Sequence, residues 1–117
     1  MNKIKNTVLP LFVLVIFLVF GQKVSAYNVE GNGVCTCDSC SDCTQALSDN
    51  TNCTSTVKLT QDITDFSGTC INNPNSNNKT FDCQNHTIDG DDSQWSYGIH
   101  LSGRSGNTIK NCTISDF

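Results

Sequence analysis

Four cysteines, Cys35, Cys37, Cys40 and Cys43, fall within nine residues. Thiolates at this density can wrap a zinc ion or an iron–sulfur cluster, or they can oxidise in pairs to disulfides. Four more follow at Cys53, Cys70, Cys83 and Cys112, making an even total of eight. In an exported chain an even, dense set reads as a disulfide framework, and that reading is favoured over metal. A small Cys-rich metal-binding protein is the alternative. Eight cysteines allow on the order of a hundred connectivities, so spacing alone does not pair them. Cys35 and Cys37 are too close to join easily, and Cys40 with Cys43 would be strained across one helical turn. Cys53 and Cys70 bracket a strand and are candidates to pair across it.

Export is indicated by the first 26 residues. Lys3 and Lys5 precede a thirteen-residue apolar run, Val8 to Phe20, interrupted only by Pro10; Val24-Ser25-Ala26 then offers a small-x-small cleavage site. Thirteen residues rise about 20 Å as a helix, short of the roughly 30 Å hydrocarbon core. The reading is a cleaved signal peptide over 1–26 and a secreted or cell-surface chain. An uncleaved N-terminal anchor is the alternative, and it would be the sole membrane contact. All eleven acidic residues lie beyond position 26, with only Lys58, Lys79, Arg104 and Lys110 to oppose them, a net charge near −7. Such a surface repels nucleic acid and anionic membranes. It suits divalent cations or neutral sugars.

The remaining candidate chemistry is concentrated in one polar stretch. Asp89, Asp91 and Asp92 surround a turn, and calcium is the one cofactor such a turn would suit; ordinary Asp-Gly turn chemistry is the plainer reading. Trp95 and Tyr97 flank Ser96 and form the only aromatic pair in a polar loop. They either stack on a sugar ring or fold back over the core edge, and the second is the commoner fate of loop aromatics. His86 and His100 lack a third ligand and read as a turn residue and a solvent-facing strand residue. Sequons occur at Asn52, Asn78, Asn85 and Asn111, about the number the composition yields by chance, each placed where a glycan could point outward. No Ser-His-Asp set, phosphate loop or nucleotide fingerprint is present.

The elements that must position these residues are short. Tyr27 to Gly33 reads as a linker. A helix capped by Ser41 or Asp42 runs to about Leu47, with Cys40, Cys43 and Leu47 on one face. Thr54 to Thr60 alternates as a strand, with Val57 and Leu59 on one side. Asp62 to Cys70 holds a further strand or a bend. Asn72 to Asn78, with Pro74 and Ser76, reads as a loop projecting from the body. Thr80 to Gly90 then returns, loosely, as Asn107 to Phe117, with Tyr97 to Gly103 between. Phe81, Cys83, Ile88, Ile99, Leu101, Ile109, Cys112 and Ile114 are the inward set. Recurrence over a few tens of residues is the mark of a repeat architecture.

Phe81-Asp82-Cys83-Gln84-Asn85-His86-Thr87-Ile88-Asp89-Gly90, Gly98-Ile99-His100-Leu101 and Asn107-Thr108-Ile109-Lys110-Asn111-Cys112-Thr113-Ile114 resemble right-handed parallel β-helix proteins. That superfamily includes pectate lyases and periplasmic accessory proteins of copper enzymes. The resemblance spans about Val57 to Phe117, and the Cys-rich segment looks like the lead-in such exported proteins carry. It implies an all-β, right-handed parallel β-helix of about three coils over 55–117, behind a Cys-rich cap with a short capping helix over 27–54. Stacked coils would bring Cys83 and Cys112 close enough to bridge, or leave them as unbridged core residues in a ladder. Pectate lyases hold calcium on strand aspartates with an Arg or Lys base nearby; Asp82, Asp89, Asp91, Asp92, Arg104 and Lys110 would be the raw material. No lyase motif is matched residue by residue, so no catalytic role is carried over.

The coils stop at Phe117 without anything resembling a C-terminal cap. The expectation is a fragment of a longer protein, or a protomer whose open end another chain or further coils must cover. The function expected is a structural and binding module directed at an extracellular polysaccharide or glycan, not an enzyme in this chain alone. The rival is the N-terminal part of a polysaccharide lyase or glycoside hydrolase.

Overall fold

A computed structural model describes residues 27–117. The signal-peptide assignment, 1–26, lies outside the described residues.

Gly31, Asn32 and Gly33 all have positive φ, at 107°, 54° and 77°. Consecutive left-handed residues reverse a chain sharply. Strand β1 (Asn28–Gly31) therefore folds back antiparallel on β2 (Val34–Cys37). The expected linker over Tyr27–Gly33 is the first arm of a hairpin.

Helix α1 (Cys40–Ser48) begins before either expected cap, Ser41 or Asp42. Ser39 caps it instead: its hydroxyl oxygen accepts the Asp42 N–H at 3.2 Å, and its carbonyl accepts the Cys43 N–H at 2.9 Å. Cys40, Cys43, Ala46 and Leu47 form the buried face.

Eight further strands follow: β3 (Thr56–Leu59), β4 (Ile63–Phe66), β5 (Ile71–Asn72), β6 (Thr80–Asp82), β7 (Thr87–Gly90), β8 (Ile99–His100), β9 (Thr108–Lys110) and β10 (Thr113–Ser115). They form three sheets, in the orders β1-β2-β3-β6-β9, β10-β7-β4 and β5-β8. Apart from the hairpin the pairs are parallel, and the register sets Cys35, Val57, Phe81 and Ile109 opposite one another. Ile63, Ile88 and Ile114 align in the second sheet, Ile71 and Ile99 in the third.

These findings correct the expected architecture. The largest sheet is mixed, because the Gly31–Gly33 turn puts an antiparallel strand on its edge. The sheets are unequal, with strands of two to four residues and a helix between β2 and β3. The chain is a small, mostly β fold of mixed sheets with one helix, in place of an all-parallel right-handed β-helix. Phe81, Ile88, Ile99, Ile109 and Ile114 belong to three sheets rather than one wound sheet.

The core is built as much from sulfur as from hydrocarbon. Val57, Leu59, Ile63, Ile71, Phe81, Ile88, Ala46 and Leu47 are buried together with seven of the eight cysteines. A domain this small buries too little apolar surface to rely on packing alone, and cross-links fill that gap. Ile109 and Ile114, expected inside, are 39% and 44% exposed. Their strands are the outermost of their sheets and have a neighbour on one side only.

The Asn72–Asn78 segment does not project. Pro74 and Ser76 are buried, the Asn75 N–H donates to Ser48 Oγ at 3.1 Å, and Ser76 Oγ donates to Asn107 Oδ1 at 3.0 Å. The loop is the packing joint between α1 and the start of β9. No helix among the described residues is long and apolar enough to cross a membrane.

Candidate functional site

All eight cysteines are bridged, as Cys35–Cys53, Cys37–Cys43, Cys40–Cys70 and Cys83–Cys112. The Cys53–Cys70 pair suggested by sequence does not form: Cys53 meets β2 and Cys70 meets α1. Cys83 follows β6 two residues after Phe81, and Cys112 follows β9 three residues after Ile109, the extra residue being Asn111 at φ 56°; just past that paired stretch their Cα atoms lie 4.8 Å apart. Thiols committed to bridges cannot ligate a metal, so the metal reading of the Cys35–Cys43 cluster falls. Four disulfides mark an oxidising environment for the folded chain.

The residues left to do chemistry lie in the 91–98 loop between β7 and β8. The Asp91 carboxylate accepts from the Ser93 N–H at 3.0 Å and from the Ser93 hydroxyl. That hydroxyl holds the Asp91 pKa below the usual carboxylate value. Ser96 Oγ donates to the Ser93 carbonyl at 2.9 Å. The Asp92 N–H donates to the Asp116 carbonyl at 2.9 Å, and the Cys70 N–H donates to the Tyr97 carbonyl at 3.0 Å. The loop is thus pinned on one side by the chain after β10 and on the other by the chain before β5.

Against that pinned backbone, Trp95 stands in solvent. It is 93% exposed, with φ at 67°. Ten non-glycine residues among those described have positive φ, and nine of them are Asn, Asp or Gln. Short amide and carboxylate side chains enter the left-handed region readily through local hydrogen bonds; a bulky aromatic does so at a cost of order 1 kcal/mol or more. Trp95 is the tenth. Tyr97 is 55% exposed, and its ring stacks on His100, with centroids 5.4 Å apart and planes 21° from parallel. The expectation that the aromatic pair folds over the core edge is therefore corrected: neither ring is buried. His100, read from sequence as a solvent-facing strand residue, backs Tyr97. The Tyr97-Gly98-Ile99-His100 spacing carried no signal for that pairing, because a regular pleat sends positions three apart to opposite faces and Tyr97 precedes β8.

The acidic residues do not gather into a cation cage. Among the described residues no group of three His, Cys, Asp or Glu side chains is placed to hold a metal ion. Asp89 accepts from Ser115 Oγ at 2.6 Å, and its hydrogen bond to Asp116 pushes the Asp116 pKa up. Asp82 lies on another sheet, against Lys110 at 3.8 Å, and accepts from Asn111 Nδ2 at 3.0 Å. Arg104 donates to Asn75 Oδ1 at 3.0 Å. The set that would have served a lyase is dispersed over separate partners. His86 Nδ1 lies 3.1 Å from Asp62 Oδ1, a site with no third ligand.

The four sequon asparagines are exposed. Asn52 and Asn111 donate from their amides to Asp49 and Asp82, each at 3.0 Å. Asn78, Asn85 and Asn111 have positive φ, which gives each a backbone reason to be asparagine irrespective of any glycan.

Comparison with protein-family models, with characterised proteins and with solved structures finds no match to this chain.

Proposed function

We propose that this chain is an exported, non-catalytic binding module that holds a neutral sugar of an extracellular polysaccharide or glycan against Trp95, with Tyr97 as the second contact. One observation carries the reading. A tryptophan that is 93% exposed, and held at a φ its side chain disfavours, is an expensive arrangement to maintain without a ligand. Aromatic faces bury sugar CH surfaces without asking for desolvation of a charge. Ser93, Ser96 and Asp91 supply hydroxyls and a carboxylate in the same loop for hydrogen bonds to sugar hydroxyls. The excess of acid over base disfavours uronate polymers and leaves neutral ones. Export is consistent with the four disulfides and with the Val24-Ser25-Ala26 cleavage signal.

Trp95 is the only tryptophan in the chain, so its emission reports on this loop alone. Neutral and acidic oligosaccharides titrated into the folded protein, preceded by a glycan array, test the reading. The expected result is a saturable change in emission with a neutral sugar, absent for uronates, and loss of array binding in Trp95→Ala. Blank arrays for both classes, or unchanged binding by Trp95→Ala, would overturn it.

A further inference from the structure

We propose that the Cys83–Cys112 disulfide is a redox-labile latch, whose reduction frees the β9–β10 turn and with it the support of the aromatic loop.

Access separates this bridge from the others. Thiol–disulfide exchange needs a thiolate to reach a sulfur. The six cysteines of the other three bridges are at most 3% exposed. Cys83 is buried too, but Cys112 is only half-buried, at the edge of the core. An external thiolate therefore meets Cys112 sulfur first. A dithiol reductant supplies two electrons and two protons: the S–S bond breaks, two thiols form on Cys83 and Cys112, and the reductant closes to its own disulfide.

Position gives the cleavage a local consequence. The three inaccessible bridges all fall between Cys35 and Cys70 and tie β2, α1 and the start of β5 together. Only the fourth reaches the turn carrying β9 and β10. Those strands are outermost in their sheets, and β9 is exposed along its whole length. Without the bridge the turn is held by short ladders, by backbone bonds from the Cys83, Asn85 and Thr113 N–H groups to the Lys110, Asn111 and His86 carbonyls at 3.0, 2.9 and 3.4 Å, and by the Asn111 and Lys110 side chains on Asp82.

The same turn props the 91–98 loop. The Asp116 carbonyl receives the Asp92 N–H, and Ser115 bonds Asp89. Ile114 and Phe117 press so closely on Gly98 that a Cβ there would collide with the Ile114 methyl. Opening the latch removes that floor from under Trp95 and Tyr97 while the Cys-rich end stays locked. The latch does not depend on the sugar reading of Trp95.

Graded dithiothreitol added to the oxidised protein, with alkylation and peptide mass spectrometry, tests the order of opening. Cys83 and Cys112 should label at least tenfold sooner than any other pair. At that stage hydrogen exchange over 91–98 and 107–117 should quicken at least tenfold, with 34–71 unchanged. Any other bridge opening first or together with this one would overturn the proposal, as would early labelling without faster exchange. C83S/C112S should show the fast exchange without reductant; oxidised-like protection of 91–98 in that variant would also overturn it, and should it fail to fold the wild-type titration decides. Thiol labelling and exchange are read whether or not any sugar binds, so failure here is distinguishable from failure of the binding function.

Discussion

Lys79 donates from a buried ammonium to the carbonyl oxygen of Leu47 at 2.8 Å and to that of Asp49 at 3.0 Å. Both carbonyls belong to the end of α1, where four acceptors lack helical partners and a positive charge is favoured. α1 has no basic residue in its last turn, so a lysine thirty residues on supplies it. Burial pushes the Lys79 pKa down, which is the cost of placing an ammonium there.

Lys79→Met keeps most of the side-chain volume and removes the donor. The buried Leu47 carbonyl and the partly buried Asp49 carbonyl then lose their donor, and the expected loss of stability is about 1–3 kcal/mol. A denaturant titration at neutral pH measures it; an unchanged midpoint would show that water replaces the ammonium without cost.

The Asp49 carboxylate accepts from the Tyr27 hydroxyl at 2.6 Å, from the Thr51 and Asn52 N–H groups at 2.9 Å each, and from Asn52 Nδ2 at 3.0 Å. These donors, Tyr27 foremost, hold its pKa well below the usual carboxylate range. A carboxylate whose pKa is lower folded than unfolded stabilises the fold above the unfolded value, ~3.9, and loses that contribution as pH falls toward the folded value. Tyr27→Phe should therefore weaken the protein at pH 7 by about 1 kcal/mol, with the gap from wild type closing only in strong acid. Paired urea titrations at pH 7 and in strong acid check this, and a pH-independent gap would contradict it.

A Cβ on Gly90 would collide with the backbone carbonyl oxygen of Asp116 and crowd the Phe117 ring. Backbone cannot rotate away as a side chain can, so Gly90→Ala should displace the β10 turn and cost about 1–3 kcal/mol. Hydrogen exchange should quicken over 113–117 and stay unchanged over 34–48. Uniform quickening across the chain would mean that the contact supports the whole fold.

Trp95→Gly removes a side chain that touches solvent almost everywhere and relieves a disfavoured φ, while adding freedom to the unfolded chain. The two effects oppose, and stability should stay within about 1 kcal/mol of wild type. A larger loss in a thermal melt would show that the indole is structural.

Part of this arrangement is written in local pattern. Alternation in Thr56–Leu59, Thr80–Asp82 and Thr108–Lys110 assigns Val57, Phe81 and Ile109 to one side of their strands, and these residues do pair with one another. Side-chain direction along a strand has a period of two that no distant contact is needed to establish. The helix was legible in the Cys40, Cys43 and Leu47 spacing, although its cap was not, because Ser39, Ser41 and Asp42 are all competent caps. The aromatic loop was legible as a loop. The direction of its rings was not, since Trp95 can face water or core with the same neighbours in sequence.

Residue types and spacing alone dictated an acidic, cysteine-linked chain of short strands, because charge, redox habit and side-chain alternation are properties of near neighbours. Three-dimensional packing chose the rest: the partner of each cysteine, the half-exposed Ile109 and Ile114, and Trp95 held out in solvent. Each of these depends on what segments tens of residues away leave room for, and no local period encodes that.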